Sequence, residues 1–141
     1  MTQAVTAGRL GALERWTVRY ARYALAAAFL SGIASRFGLW GKDVGFGNFA
    51  NFMKYTAEVN SFMPASTIPF LAWAATAAEL ILGVALVVGV RLRQVAVGSA
   101  LLLAVFGVAM AVSFGLKSPL DYSVFSASAA AALLAVWRED T

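Results

Sequence analysis

Four apolar stretches follow one another along the chain, separated by shorter polar segments. The first runs from Tyr23 to Trp40 and is broken by Arg36. The second runs from Thr67 to Val90 with Glu79 as its single charge. The third, Gln94 to Leu116, carries none, and the fourth, Leu120 to Trp137, has Asp121 at its start and is otherwise rich in alanine and serine. Each approaches the roughly 20 residues that a helix needs to cross a bilayer. A helix of a soluble bundle keeps a polar stripe along one side, and the second and third runs have no such stripe. The pattern predicts an all-α membrane protein: a four-transmembrane-helix bundle with spans at about 23–40, 67–90, 94–116 and 120–137. A basic segment, 1–22, precedes the bundle and a short C-terminus, 138–141, follows it.

The longest connection, Gly41 to Ser66, has a pattern of its own. Phe46, Phe49, Phe52, Tyr55, Val59 and Phe62 recur at spacings of three and four. That period predicts an amphipathic helix from about Gly47 to Asn60, ending before Pro64. Lying at the interface, it buries its phenylalanines among headgroups or caps the bundle, as a structural lid or as the lid of a ligand site.

Composition narrows the chemistry. Hydrophobic residues make up 61% and charged residues 13%, far from the balance of roughly 45–50% and about 25% in soluble domains. There is no cysteine and no histidine. Disulfides, thiol redox chemistry, zinc sites and nucleophile–histidine triads are therefore excluded. The net charge of +4 does not point to nucleic acid, because the basic residues stand mostly at the ends of apolar runs.

That placement predicts an orientation. Arg9, Arg15, Arg19 and Arg22, the turn residues Arg91 and Arg93, and Arg138 fall on one side. Lys42, Lys54 and Lys117 fall on the other, each near an acid. The basic side is cytoplasmic by the positive-inside rule, which places both termini inside a bacterial inner membrane. Trp16 and Trp137 then mark the inner interface, and Trp40 and Trp73 the outer one. The first run continues well past the short apolar core of a removable signal peptide, so it is expected to be retained.

Glu79 stands about midway along the second run, near the expected membrane midplane. A carboxylate there is costly unless it is protonated, paired or reached by water, so it is a functional candidate by default. Its bland alternative is a hydrogen bond that ties two helices together. Arg36, four residues before Trp40, either snorkels outward or pairs with Glu79; sequence position leaves both open. Asp121, beside Pro119, is expected to cap the fourth helix or to complement its dipole. With Tyr122 and the aromatic loop, Arg36, Glu79 and Asp121 could also line an outward pocket suited to a quinone-sized ligand. Rows of small residues, Ala28-Gly32 on the first helix and Ser123-Ala127-Ala131-Ala135 on the fourth, favour close packing without a wide pore.

The order Ser31-Gly32-Ile33-Ala34-Ser35-Arg36, then an aromatic loop helix, then Ala78-Glu79-Leu80-Ile81-Leu82-Gly83, resembles the DoxX/DoxD family of small membrane proteins. Gly89-Val90-Arg91-Leu92-Arg93 and Lys117-Ser118-Pro119-Leu120-Asp121-Tyr122-Ser123 extend the likeness from about Arg22 to Trp137. The related MauE-type methylamine-utilisation proteins share the four-helix layout. The resemblance implies a membrane subunit or partner of an oxidoreductase. One branch supplies the small subunit of an archaeal thiosulfate:quinone oxidoreductase, and another is linked to mycobacterial thiol and oxidative-stress handling. It carries Glu79 onto the acidic position of the second helix and Arg36 onto the basic position closing the first.

The preferred expectation is a redox-complex subunit or anchor with a quinone-headgroup site in the outer half of the bundle. It would bind no covalent cofactor and would meet an oxidoreductase subunit or further copies of itself. The alternatives are a small-molecule or proton transporter, disfavoured because no broken helix is visible in the sequence, and a purely structural bundle.

Overall fold

The computed structural model describes residues 2–137 and is all-helical among them. The expected C-terminal segment, 138–141, with its Arg138, lies outside the described residues. The helices are α1 (Thr2–Arg36), α2 (Phe49–Val59), α3 (Ile68–Val88), α4 (Leu92–Phe114), α5 (Lys117–Asp121) and α6 (Val124–Val136), with a 3-10 turn (Ala65–Thr67) leading into α3. Two helical stretches, Ala65–Val88 and Leu92–Phe114, are long and apolar enough to cross a bilayer.

Helices α1, α3, α4 and α6 lie side by side in a ring, α1 against α3 and α6, and α4 against α3 and α6. One end of this ring carries the tight α3–α4 turn and is referred to below as the turn end. The other, the cap end, is covered by α2, which packs on both α3 and α4.

Small side chains let the turn end close. Leu25, Ala26, Phe29, Leu86, Ala96, Ala131, Leu134 and Ala135 form one buried cluster there. Gly83 brings α3 against α1 so closely that a Cβ on it would stand 2.9 Å from Leu30 Cδ2. The turn itself needs Gly89, which stops α3 in the left-handed region at φ 82°, a conformation that glycine adopts without the clash a Cβ brings. Arg22 completes it. The guanidinium donates from Nη2 to the Val87 carbonyl at 3.2 Å and to Tyr23 Oη at 2.8 Å. A cation at a helix C-terminus satisfies an orphan carbonyl and opposes the helix dipole.

Helix α2 forms within the predicted stretch, two residues shorter at its start and one at its end. Asn48 caps it, its side-chain oxygen accepting from Asn51 N at 2.8 Å. Phe49 stacks on Trp73 of α3 with ring centroids 4.2 Å apart. At the other end Ser113 of α4 donates to the Val59 carbonyl. The segment between α1 and α2 folds back tightly at Gly38, where a Cβ would lie 2.7 Å from the Gly47 carbonyl oxygen.

Three expectations are corrected. Helix α1 does not begin near Tyr23; it starts at Thr2 and ends at Arg36, so the basic segment is continuous with the first apolar run. Arginine and alanine are good helix formers, and the segment from Thr2 to Arg22 contains no proline to stop it. The fourth run is not one helix from 120 to 137. It breaks at Tyr122–Ser123, where Ser123 adopts a left-handed φ of 56°, and an unbroken fourth helix was a mistaken expectation. Asp121 accordingly closes the five-residue α5 and does not cap α6, which starts at Val124 behind Ser123.

Candidate functional site

Arg36 is the last residue of α1 and Glu79 lies in the middle of α3; the antiparallel packing of these helices sets them face to face. They form an ion pair through Arg36 Nη2 and Glu79 Oε2, with the side chains 5% and 9% exposed. Of the two positions open to Arg36, the inward one is therefore occupied. Gly32, one turn before Arg36, faces the carboxylate: a Cβ there would lie 3.9 Å from Glu79 Oε1, in ordinary contact.

Further groups fix the guanidinium. Nη1 donates to Thr76 Oγ1 at 3.0 Å, and that hydroxyl in turn donates to the Ala72 carbonyl at 2.8 Å. The Phe52 ring of α2 covers the guanidinium with its centroid 3.7 Å from Cζ. A cation over an aromatic face is attracted by the ring's quadrupole, most strongly where water is excluded. Nε of Arg36 is buried and has no hydrogen-bond partner among the described residues. A buried donor left unpaired is costly, of order 1–3 kcal/mol.

The pair lies on the wall of a cavity of about 540 Å³. Its walls are apolar side chains of α3 and α4 and its roof is Phe52, Tyr55, Thr56 and Val59 of α2. Such a cavity, apolar with a few convergent polar groups, has the make-up of a small-molecule site. A larger groove of about 960 Å³ runs between the N-terminal half of α1 and α6. Of its polar side chains, Trp137 donates to Glu14, Thr17 donates to the Leu13 carbonyl of its own helix and Tyr20 is exposed, so the cavity at Arg36 offers the richer chemistry.

The other sequence-predicted residues stand apart from the pair. Asp121 binds Lys117 one turn away, and both side chains are largely exposed. Tyr122 is exposed as well. It does lie near Tyr55 on the cavity roof: the Tyr55 phenol is pushed above its ordinary pKa, first by burial and then by its neighbours Tyr122 and Glu58. Thus Tyr122 stands outside the cavity and Asp121 forms its own surface pair. Thr76 was missed, and Phe52 was expected only as one of the aromatic residues of the loop. Thr76 precedes Glu79 by one helical turn and so shares its face, a signal present in the sequence. Nothing in the sequence tells which phenylalanine of α2 covers Arg36.

An all-helical membrane protein with a buried ion pair set in an apolar, helix-capped cavity is the class that fold and site define together. The family model for methylamine utilisation protein MauE matches residues 14–138, and the chain belongs to that family. The match covers both α1–α3 partners of the ion pair, α1 from residue 14 onward, and the whole of α3, α4 and α6. It places the chain with MauE and not with DoxX/DoxD specifically. No curated protein and no solved structure matches the chain.

Proposed function

We propose that this protein is the membrane subunit of an electron-transfer system and seats a quinone headgroup in the cavity at Arg36 and Glu79. The observation that carries this reading is the unpartnered Nε of a buried arginine on the wall of an apolar cavity. A quinone carbonyl is an acceptor without charge. It can enter such a space at small desolvation cost and take up the free donor. Glu79, already adjacent, is positioned to exchange a proton when a reduced quinone oxygen needs one. The family's link to methylamine utilisation agrees with a redox setting.

In this reading the ring of helices crosses an inner membrane four times, with both termini and the Arg9, Arg15, Arg19, Arg22, Arg91 and Arg93 collar on the cytoplasmic side. Helix α6 has 13 residues, about 20 Å at the helical rise, so the fourth crossing is completed by α5 and by the α2 cap. The chain has no cysteine, so the electrons are delivered or removed by a partner oxidoreductase subunit and not by a thiol here. The transporter alternative draws no support from the break at Ser123, which lies at the cap end beside exposed residues and not in mid-bundle, where carriers bind their cargo.

The test is saturable binding of a tritiated short-chain ubiquinone analogue to the purified protein in lipid nanodiscs. The double replacement Arg36→Met with Glu79→Leu removes both charges together and leaves neither unpaired. Binding to wild type and its loss in this variant is the expected result; equal binding to both, or none to wild type, sinks the reading.

A further inference from the structure

Helices α3 and α4 form a hairpin about the Gly89–Arg91 turn, and residues equidistant from that turn oppose each other. Close to the turn the hairpin is shut. A Cβ on Gly98 would stand 3.3 Å from Leu82 Cδ2. One helical turn further on it opens: Ala78 and Leu102, then Ala75 and Val105, line the cavity from opposite sides with space between them. Helix α2 bridges the splayed ends from above. Of all the residues lining the cavity, the exposed ones are Ala74 on α3 and Val105 on α4, one on each side of the gap. The cavity therefore has a side window, and its rim is uncharged.

A window of that kind faces lipid if α3 and α4 span the bilayer. Behind it sits Arg36, 4% exposed, with Nε unpaired. The roof over the same cavity is closed by the Phe46, Phe52 and Tyr55 rings, whose centroids lie 5.2 and 5.3 Å apart along the row. A water-borne ligand would have to displace this aromatic lid, while a ligand dissolved in the membrane would not.

We propose that the gap between α3 and α4 is a lateral portal. Through it a lipophilic molecule enters, carbonyl head first toward Arg36 and apolar tail left lying between Ala74 and Val105. This rests on the quinone reading and the four-span topology given above, and it adds the route and the requirement for a tail. No covalent step is involved; the portal only admits and orients the ligand.

The natural absence of cysteine makes a clean experiment available. A single Ala74→Cys substitution puts one thiol on the rim, at an exposed position whose change does not disturb the core. A bulky methanethiosulfonate reagent then closes the window, and reductant reopens it. The probe is a tritiated benzoquinone bearing a decyl chain, and its association with protein in nanodiscs is followed by scintillation proximity. Modification should slow association at least ~tenfold, since a blocked entry acts on the on-rate, and reductant should restore it. The same modification at Lys54→Cys, on the exposed face of α2, should change nothing. Unchanged association after modification at position 74, or slowing at position 54 alone, overturns the portal while the site stands. Absence of saturable binding to the unmodified protein overturns the quinone reading, and the portal falls with it.

Discussion

The two ends of this helix ring are made from the same four helices and differ in what they bury. At the turn end alanines, glycine and leucines pack closely, with the α1–α6 groove on their outer side, and Arg22 spends its Nη2 on closing a helix end. At the cap end the helices part, and the space is lined by an arginine, a glutamate, a threonine, an asparagine and an aromatic roof. Close packing of small residues is the ordinary means by which helices associate in lipid, where no hydrophobic drive acts between them. A charged pair beside an unfilled cavity does nothing for packing that alanine and leucine would not do better. In the proposed reading the contrast gives stability to one end and ligand chemistry to the other, and it can be attacked from both sides.

The largest effect should come from leaving half of the ion pair behind. Glu79→Leu strands a buried guanidinium with only Thr76 and Phe52 for company. Breaking a buried pair in this way typically destabilises by about 3–5 kcal/mol. Replacing both members, as Arg36→Met with Glu79→Leu, removes the unpaired charge as well and should recover most of that loss. Thermal unfolding of the purified variants in detergent measures both. If the single and double variants unfold together, the pair is not the coupled unit described here, and the cap end has no special electrostatic demand.

Next in size is overpacking of the turn end. Gly83→Val pushes a branched side chain against Leu30 and against Phe29, whose Cβ would already lie 3.3 Å from a bare Cβ at position 83. Overpacking of a tight core costs typically about 1–3 kcal/mol. The midpoint of thermal unfolding should fall while the affinity for the quinone analogue, measured well below that midpoint, stays as in wild type. A variant that unfolds normally but binds poorly would reverse the assignment of roles.

Gly89→Ala should have a smaller effect, since only one backbone conformation is at stake. A left-handed residue with a Cβ costs roughly 1–2 kcal/mol, and here that Cβ would also come within 3.1 Å of Arg22 Nη1. The guanidinium is long and can give way, so the lower figure is expected. Amide hydrogen exchange should quicken around Val87–Arg91 and remain unchanged in α2.

Much of this contrast is legible in the sequence, and the failures have physical causes. Glu79 and Arg36 declare themselves as charges within apolar runs, and the phenylalanine period from Phe46 to Phe62 foretells α2. Which way Arg36 points is not legible, because a side chain of that length reaches either interface or neighbour from one backbone position. The break at Ser123 is equally hidden: Leu120 to Trp137 carries no charge after Asp121, and the left-handed turn at a serine is imposed by tertiary context over local preference. The cavity itself is the hardest feature to read. It arises where α3 and α4 splay beneath α2, which packs on both, a long-range property that hydrophobic period does not encode.

The smallest effect is expected at Asp121, and for that reason it is the sharpest check on where chemistry ends. Its partner is Lys117, one turn away on α5, and their side chains are 56% and 85% exposed. Exposed pairs at that spacing contribute roughly 0.3–0.5 kcal/mol, and salt screens even that. Asp121→Asn keeps size and shape and removes the charge. Unfolding temperature and affinity for the quinone analogue should both match wild type, and adding about 0.5 M salt, which shortens the screening length to roughly 4 Å, should leave the comparison unaltered. A loss of binding in Asp121→Asn would mean that the negative charge at the cap-end surface acts on the cavity through Tyr122 and Tyr55. The boundary between the two regions would then lie further out than the roof of α2, with the exposed segment around Pro119 included in the site.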